Sequence, residues 1–451
     1  MKGLKTLNSY RHLLRNRPFV LLWLGQTISR LGDVLYYAGM LWLVKELTGS
    51  NTVTGLAGMA MALPQLIGPL VGVFVDRWPR RRILLASDLL RGLLVLAVPL
   101  LAWWGHLQAW AVIAVVFALS LVGQFFYPAK QALIPELVDE EGLLMANSFD
   151  TMAQSGMQVL GFLISGALIL WIGPVHLFTL DGVSFFLSAL FIVLMGNVPQ
   201  TAAAPSREEV KTLAGHPVTP QPKQENHRLM AELWEGIEFL WKTPLTRVVI
   251  PAAVLVNFVF GPTMVLLPSY ASDVLGAGAK GYGYLEGALA AGILLGSALI
   301  PGLAGKVPRT WALGGGLGLM GLGLIGVGLS PHLAWSLGMM ALVGVANAMG
   351  NIIFMTLLQA MVPKQLQGRI FASLVTLVSI ANPIGLGLSG ILADRFSVPA
   401  VYVAAGVVTA LTAFAAALPL ARVLAGPGLT PATGSPASAT EGLSPAPEGL
   451  A

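Results

Sequence analysis

The stretch Gly68-Pro-Leu-Val-Gly72-Val-Phe-Val-Asp76-Arg77-Trp78-Pro79-Arg80-Arg81-Arg82 ends one long apolar run and starts the next. One carboxylate and four arginines are crowded into the turn between them. A soluble core has no use for that arrangement. A tight turn between two membrane helices does, with its cations on the cytoplasmic face.

The composition around the turn agrees. Of 451 residues, 55% are apolar and only 10% are charged, against roughly 25% charged in a soluble domain. The mean hydropathy is +0.76. Charge is gathered into short islands, the mark of a polytopic membrane protein. The 52 glycines fit, since small residues let membrane helices approach closely. The net charge of +5 reads as loop charge facing the cytoplasm. Nucleic-acid binding needs a basic face on a soluble domain, and the sequence has none. With no cysteine there is no disulfide, thiolate metal site or cysteine nucleophile. The basic, polar start from Met1 to Pro18 lacks the pattern of a cleaved signal peptide.

A spanning helix needs about 20 mostly apolar residues. Twelve runs meet that test, at about 19–44, 52–75, 83–104, 108–130, 147–172, 175–196, 246–270, 281–304, 311–329, 333–361, 370–393 and 398–422. The expected fold class is an all-α membrane protein with twelve transmembrane helices in two six-helix, pseudo-symmetric bundles. The expected organisation is a first bundle over 1–198, a cytoplasmic linker over 199–244, a second bundle over 245–424 and a disordered tail over 425–451. Within the linker, Leu229 to Trp241 has apolar residues at helical spacing and reads as an interfacial amphipathic helix. Lys and Arg fix the orientation. Five basic residues in the first 17 positions, the arginines of the turn, Lys130, Lys306, Arg309, Lys364, Arg369 and Arg422 fall on one side; Lys45, Lys280 and Arg395 fall on the other. Both termini are therefore expected in the cytoplasm. Trp103, Trp104, Trp110, Trp171 and Trp335 then form an outer aromatic belt.

The two halves echo each other. Gln131-Ala-Leu-Ile-Pro135 matches Gln359-Ala-Met-Val-Pro363, and Lys306-Val-Pro308-Arg309 is a worn copy of the basic turn. Gly161-Phe-Leu-Ile-Ser165-Gly166 matches Gly385-Leu-Gly-Leu-Ser389-Gly390, which runs on to Asp394-Arg395 and so echoes Gly72 to Arg77. Helix 2 runs inward and helix 11 outward, the pattern of inverted repeats nested in two six-helix halves.

With Gly72-x-x-x-Asp76-Arg77-x-x-Arg80-Arg81 at its centre, the chain resembles the major facilitator superfamily over nearly its whole length. Gln26-Thr-Ile-Ser29-Arg-Leu-Gly32-Asp33, Ala146-Asn147-Ser148, Leu267-Pro268-x-Tyr270, Gly281-Tyr-Gly283 and Gly368-Arg369-Ile-Phe371 look like the branch of macrolide efflux proteins and the enterobactin exporter. Two features depart from that pattern. Ala109 to Tyr127 lacks the helix 4 arginine of many drug/proton antiporters, and the helix 5 antiporter motif reads Gly161-Phe162 and Ser165-Gly166, without its proline.

The resemblance implies a transporter with alternating access, and gives the membrane charges roles to weigh. An ionisable group in the bilayer costs at least ~2.5 kcal/mol and normally faces a cavity or a partner. Arg30 and Asp33 lie near the middle of helix 1, one turn apart. Either Asp33 binds a proton or a cationic substrate, trading Arg30 for it, or the two form a static brace. Glu286, in the outer half of helix 8, is either a protonatable or substrate site or a solvated side chain at the interface. Asp88 and Arg91 form a helix 3 ion pair that is expected to brace the basic turn. Gly72, Asp76, Arg77, Arg80 and Arg81 are either a positive-inside anchor or, as the resemblance implies, a conformational latch to the start of helix 11 near Arg369. Gln26, Gln124, Gln154, Gln158, Asn257, Asn347 and Asn351 are polar groups for a cavity or for bonds between helices. Asp181 and His176, near the outer end of helix 6, carry no assigned role.

No phosphate loop, metal-ligand spacing or nucleophile beside a base occurs, so neither enzyme activity nor a cofactor or metal is expected. The expected function is efflux of hydrophobic or amphiphilic small molecules across an inner or plasma membrane by proton antiport. The expected partners are the lipid bilayer, a small-molecule substrate and protons, with the protein a monomer. Export of a siderophore or lysophospholipid is the nearest alternative, with Arg30 and Arg91 suiting an anion. Uncoupled uniport or import, and a transport-inactive sensor or scaffold, stand further off.

Overall fold

The computed structural model describes residues 13–68, 71, 75, 78–196, 246–303, 309–329, 332–361 and 367–424. The expected linker, its amphipathic helix and the tail lie outside them, as do Gly72, Asp76 and Arg77 of the basic turn.

Twelve helices of 12 residues or longer run through the described residues: α1 Arg17–Thr48, α2 Asn51–Ala62, α3 Arg80–Trp103, α4 Ala109–Leu137, α5 Glu140–Ile172, α6 Pro174–Leu194, α7 Thr246–Val265, α8 Gly278–Leu303, α9 Arg309–Gly328, α10 Leu333–Met361, α11 Gln367–Arg395 and α12 Val398–Leu424. Eight are long and apolar enough to cross a membrane, and a ninth span is α7 together with the bent segment Leu267–Val274. Local chemistry sets the ends. Asn16 caps α1 by accepting from the Phe19 amide at 3.1 Å, and Gly49 stops α1 at φ 65°, a conformation glycine adopts freely. Ser50 then caps α2 and Asp139 caps α5. Pro64 tightens the end of α2 into a 3-10 turn over Leu63–Ile67, where the sequence suggested an uninterrupted run.

The packing repeats with a period of six helices. In the first half α1 packs on α6 and α5, α3 on α6 and α4, and α2 on α4. In the second, α7 packs on α12 and α11, α9 on α12 and α10, and α8 on α10. Each pair becomes its partner when six is added to both numbers. The halves meet through two equivalent pairs, α2 with α11 and α5 with α8. Both crossings need small residues: a Cβ on Gly166 of α5 would collide with the backbone of Gly283 of α8, and one on Gly390 of α11 with the Asn51 carbonyl.

These junctions lie toward one end of the bundle. There Lys45, closing α1, binds Asp273 at 2.7 Å. Asp394, closing α11, accepts from the Ser50 hydroxyl and from the Asn51 and Thr52 amides at 2.8–3.0 Å. Leu35, Ala38, Ile169 and Leu177 of the first half share a core with Leu266, Tyr270 and Tyr282 of the second. At the opposite end the first turns of α5 are bare. From 147 to 158 only Ala153 is buried, so that stretch has lost neighbours on more than its lipid side. Among the described residues, the halves close on each other at the Lys45 end.

Candidate functional site: a charged first half and a hollow second half

Inside the first half, α1, α3 and α6 enclose a chain of polar groups. Gln26 donates to the Ser188 hydroxyl at 3.0 Å, and Ser188 donates to Asp88 at 2.6 Å. Asp88 also takes the Arg91 guanidinium at 2.7 Å. The planar guanidinium lies between the rings of Phe126 and Phe185, at 4.7 and 4.2 Å from their centroids. Asp88 is fully buried. The pair seen in the sequence therefore forms, but it braces the interior of its own half; no bond to the described part of the basic turn accompanies it. Gln26 is buried, with its amide given to this network.

Asp33 stands in front of this network, 4.0 Å from Arg91, with 46% of its side chain exposed. Its expected partner is elsewhere. Arg30 binds Asp150 of α5 at 2.8 Å, and Asp150 also holds Lys130 of α4 at 2.8 Å. Two cations share that carboxylate. An (i, i+3) spacing puts two groups on one face, but a carboxylate from another helix satisfies the long Arg30 side chain better.

Glu286 is 3% exposed, which rules out the solvated position at the interface. It accepts from Tyr282 at 2.7 Å and, across the halves, from Ser165 at 3.2 Å. Trp42 stacks on Tyr282, so the carboxyl is sealed into the closed end. Arg80 bonds Glu136 and the Ala132 carbonyl of α4, and Arg81 the Ile192 and Val193 carbonyls of α6. These bonds stay within the first half. The latch expected between Asp76 and α11 lies outside the described residues, as does the Arg369 side chain. A cross-half carboxylate latch does exist at the closed end, made by Asp394, the residue whose sequence echoes Asp76.

The second half holds a cavity of about 290 Å³ between α7, α9, α10, α11 and α12. Asn257, Phe260, Leu317, Met320, Asn347, Asn351 and Phe354 are among its walls, and among the described residues that line it none is ionisable. Asn347 and Asn351 lie one turn apart on α10. Asn257 donates to the Ala253 carbonyl at 2.9 Å, leaving its own carbonyl oxygen as an acceptor. The volume is near the lower end of the range for small-molecule pockets. The sequence offered the asparagines as polar types; the empty space that unites them has no signature in it. Asp181 was also passed over. It is fully buried on α6 and meets α1 at Gly32, where a Cβ would stand 2.6 Å from its Oδ1.

Comparison with known proteins agrees with this architecture. The model of the Major Facilitator Superfamily matches residues 22–385 and 303–446. Macrolide efflux protein A of Streptococcus pyogenes is 24% identical over 387 residues, covering 84% of this chain and 90% of that protein. Multidrug efflux pump Tap of Mycolicibacterium fortuitum is 27% identical over 395 residues, covering 86% and 92%. Among solved structures, an inward-facing, unoccupied bacterial homologue of the human lysosomal transporter Spinster superposes with a TM-score of 0.67 at 15% identity, covering 90% of this chain and 96% of that one. An inward-facing bacterial homologue of the iron transporter ferroportin gives 0.64 at 18%, covering 90% and 99%. Matched from α1 to α12 and built with this six-helix repeat, the chain belongs to the Major Facilitator Superfamily, as a multi-pass membrane transporter related to drug efflux pumps.

Proposed function

We propose that the protein exports hydrophobic or amphiphilic small molecules by proton antiport, with its two halves rocking about the α2–α11 and α5–α8 crossings. The observation that carries this reading is the pairing of a half-exposed membrane carboxylate, Asp33, with an uncharged cavity in the facing half. Ion and cargo then have separate seats served by one motion. The basic-residue asymmetry supports cytoplasmic termini, so the closed Lys45 end is the outer one and the cavity opens inward, ready to load. Asp33 takes a proton when the cleft faces out and gives it up when the cleft faces in. Glu286, sealed at the α5–α8 crossing, sees water only when the outer end parts; it is the second candidate for the coupling proton. The protein acts as a monomer, since each half already finds its partner within the chain.

An anionic substrate is less well served. Arg30 and Arg91, on which it would rest, are each held by a carboxylate. The deciding measurement uses proteoliposomes with an imposed pH gradient and ethidium as cargo. Uphill ethidium movement should follow the gradient, and should stop in Asp33→Asn. Gradient-driven movement that survives Asp33→Asn and Glu286→Gln together sinks the antiport reading.

A further inference from the structure

We infer that Asp181 is a second proton-holding carboxylate, sharing one exchangeable proton with Asp33 across the contact of α1 with α6. This rests on the antiport reading above and extends it to a residue outside the cleft.

Asp181 is 0% exposed. Its Oδ1 takes only the Ser184 hydroxyl, at 3.3 Å, and its Oδ2 has no hydrogen-bond partner among the described residues. The Tyr36 hydroxyl, one turn beyond Asp33 on α1, is likewise buried without a partner, as is the Arg91 Nε. Buried polar atoms are nearly always paired, and of these three only the carboxylate oxygen can take up a proton. Charge points the same way. On α1 stand Asp33, Tyr36 and Arg30; on α3, Asp88 and Arg91; on α6, Asp181. Arg30 is taken by Asp150, which also holds Lys130 of α4, and Arg91 by Asp88. Asp33 keeps a second share of Arg91, at 4.0 Å; with three cations set against four carboxylates, the one left without a cation at its side is Asp181. Asp33 is hydrated by the cleft; Asp181 is not, and an ionised carboxylate without a partner there is strongly disfavoured. Gly32 is what lets them adjoin, since any side chain there would push Asp181 away.

The step is a proton relay. A hydronium ion in the cleft gives its proton to Asp33, breaking its own O–H bond and leaving water; the Asp33 O–H bond breaks as the proton passes to Asp181 Oδ2, and the same bonds break and form in reverse once the cleft faces the other side.

The test uses the full chain in proteoliposomes loaded with a pH-sensitive dye, counting protons moved per ethidium exchanged. Asp181→Asn should lose proton movement while still binding ethidium, and Asp181→Glu should restore it. Tyr36→Phe and Ser184→Ala, which remove single hydroxyls, should each move the pH midpoint of exchange, by up to about one unit for a tenfold change in proton affinity. An unchanged proton-to-ethidium ratio in Asp181→Asn, with Asp33→Asn inactive, overturns the role of Asp181 and leaves the antiport reading standing. If both variants keep the wild-type ratio, the relay through Asp33 and Asp181 is overturned and coupling passes to Glu286; if a sodium gradient drives the wild type in place of a proton gradient, both readings fall. Should Asp181→Asn not fold, unchanged pH midpoints in both hydroxyl variants overturn the inference.

Discussion

The two halves share one packing scheme and have opposite interiors. α3 and α9 begin at Arg80 and Arg309; eight and eleven residues on, the first half has Asp88 and Arg91, and the second has Leu317 and Met320. Phe126 of α4 and Phe354 of α10 each stand five residues before the glutamine of the repeated Gln-Ala segment. In the first half that aromatic ring covers the Arg91 guanidinium. In the second it faces empty space. The fold fixes where the interior of a half lies, and a few side chains decide whether charge fills it or a cavity does. A transporter needs both, and here they are divided between copies of one unit.

The largest effect should come from breaking the charged interior. Arg91→Met strands the fully buried Asp88, which should cost ~3–5 kcal/mol. Thermal unfolding in detergent should show it, and Asp88→Asn added to Arg91→Met should recover most of the loss. The converse change tests whether the second half tolerates charge. Met320→Arg, at a residue 2% exposed, should cost ~2.5–3.5 kcal/mol and abolish ethidium transport. Adding Leu317→Asp rebuilds the spacing of Asp88 and Arg91. It should return part of the stability and none of the transport, because the cavity is then filled. Restored transport in the double variant would mean that the cavity is not the cargo seat.

Helix positions were legible because a bilayer leaves charge nowhere to go but the turns. α10 runs over Leu333–Met361, as its apolar run does. The end of α2 was not legible, since Pro64 acts on geometry without changing hydropathy. At the site, Asp88 and Arg91 could be read as a pair because both partners lie on one helix turn. Arg30 could not be placed, since Asp150, the partner that wins, is 120 residues away. Glu286 looked unpartnered because hydroxyls, unlike cations, do not stand out in a sequence full of Ser and Tyr. Asp181 drew no attention among the apolar residues of α6; only its depth and its orphaned oxygen single it out.

A smaller effect should separate the closed end from the interiors. Asp394→Asn weakens three bonds that tie α11 to the start of α2. The site is partly solvent-exposed, so the loss should be ~1 kcal/mol, about a fivefold shift toward the form open at the Lys45 end. The chain has no cysteine, so a single Thr54→Cys is a clean reporter. Thr54 is fully buried behind this latch. Its maleimide labelling should speed up about fivefold in Asp394→Asn, with the unfolding temperature little changed. Unchanged labelling would mean that the Lys45–Asp273 pair and the shared apolar core hold that end without Asp394.

The smallest effect bears on what the cavity recognises. Asn347 and Asn351 bring two of the three carboxamides in a mostly apolar wall, and each offers donors and an acceptor. A net hydrogen bond contributes ~0.5–1.5 kcal/mol, so Asn347→Leu should weaken a cargo that bonds it by about tenfold at most. Ethidium carries amino groups and should lose affinity; tetraphenylphosphonium has no hydrogen-bonding group and should keep or gain it, because the leucine adds apolar contact. The two probes are both cations, so Asp33 and its surroundings treat them alike and cancel from the ratio. A ratio of KM values that does not move in Asn347→Leu or Asn351→Leu places the amino groups of ethidium away from α10. The second half would then contribute shape and apolar surface alone, and discrimination among cargoes would have to come from the charged half.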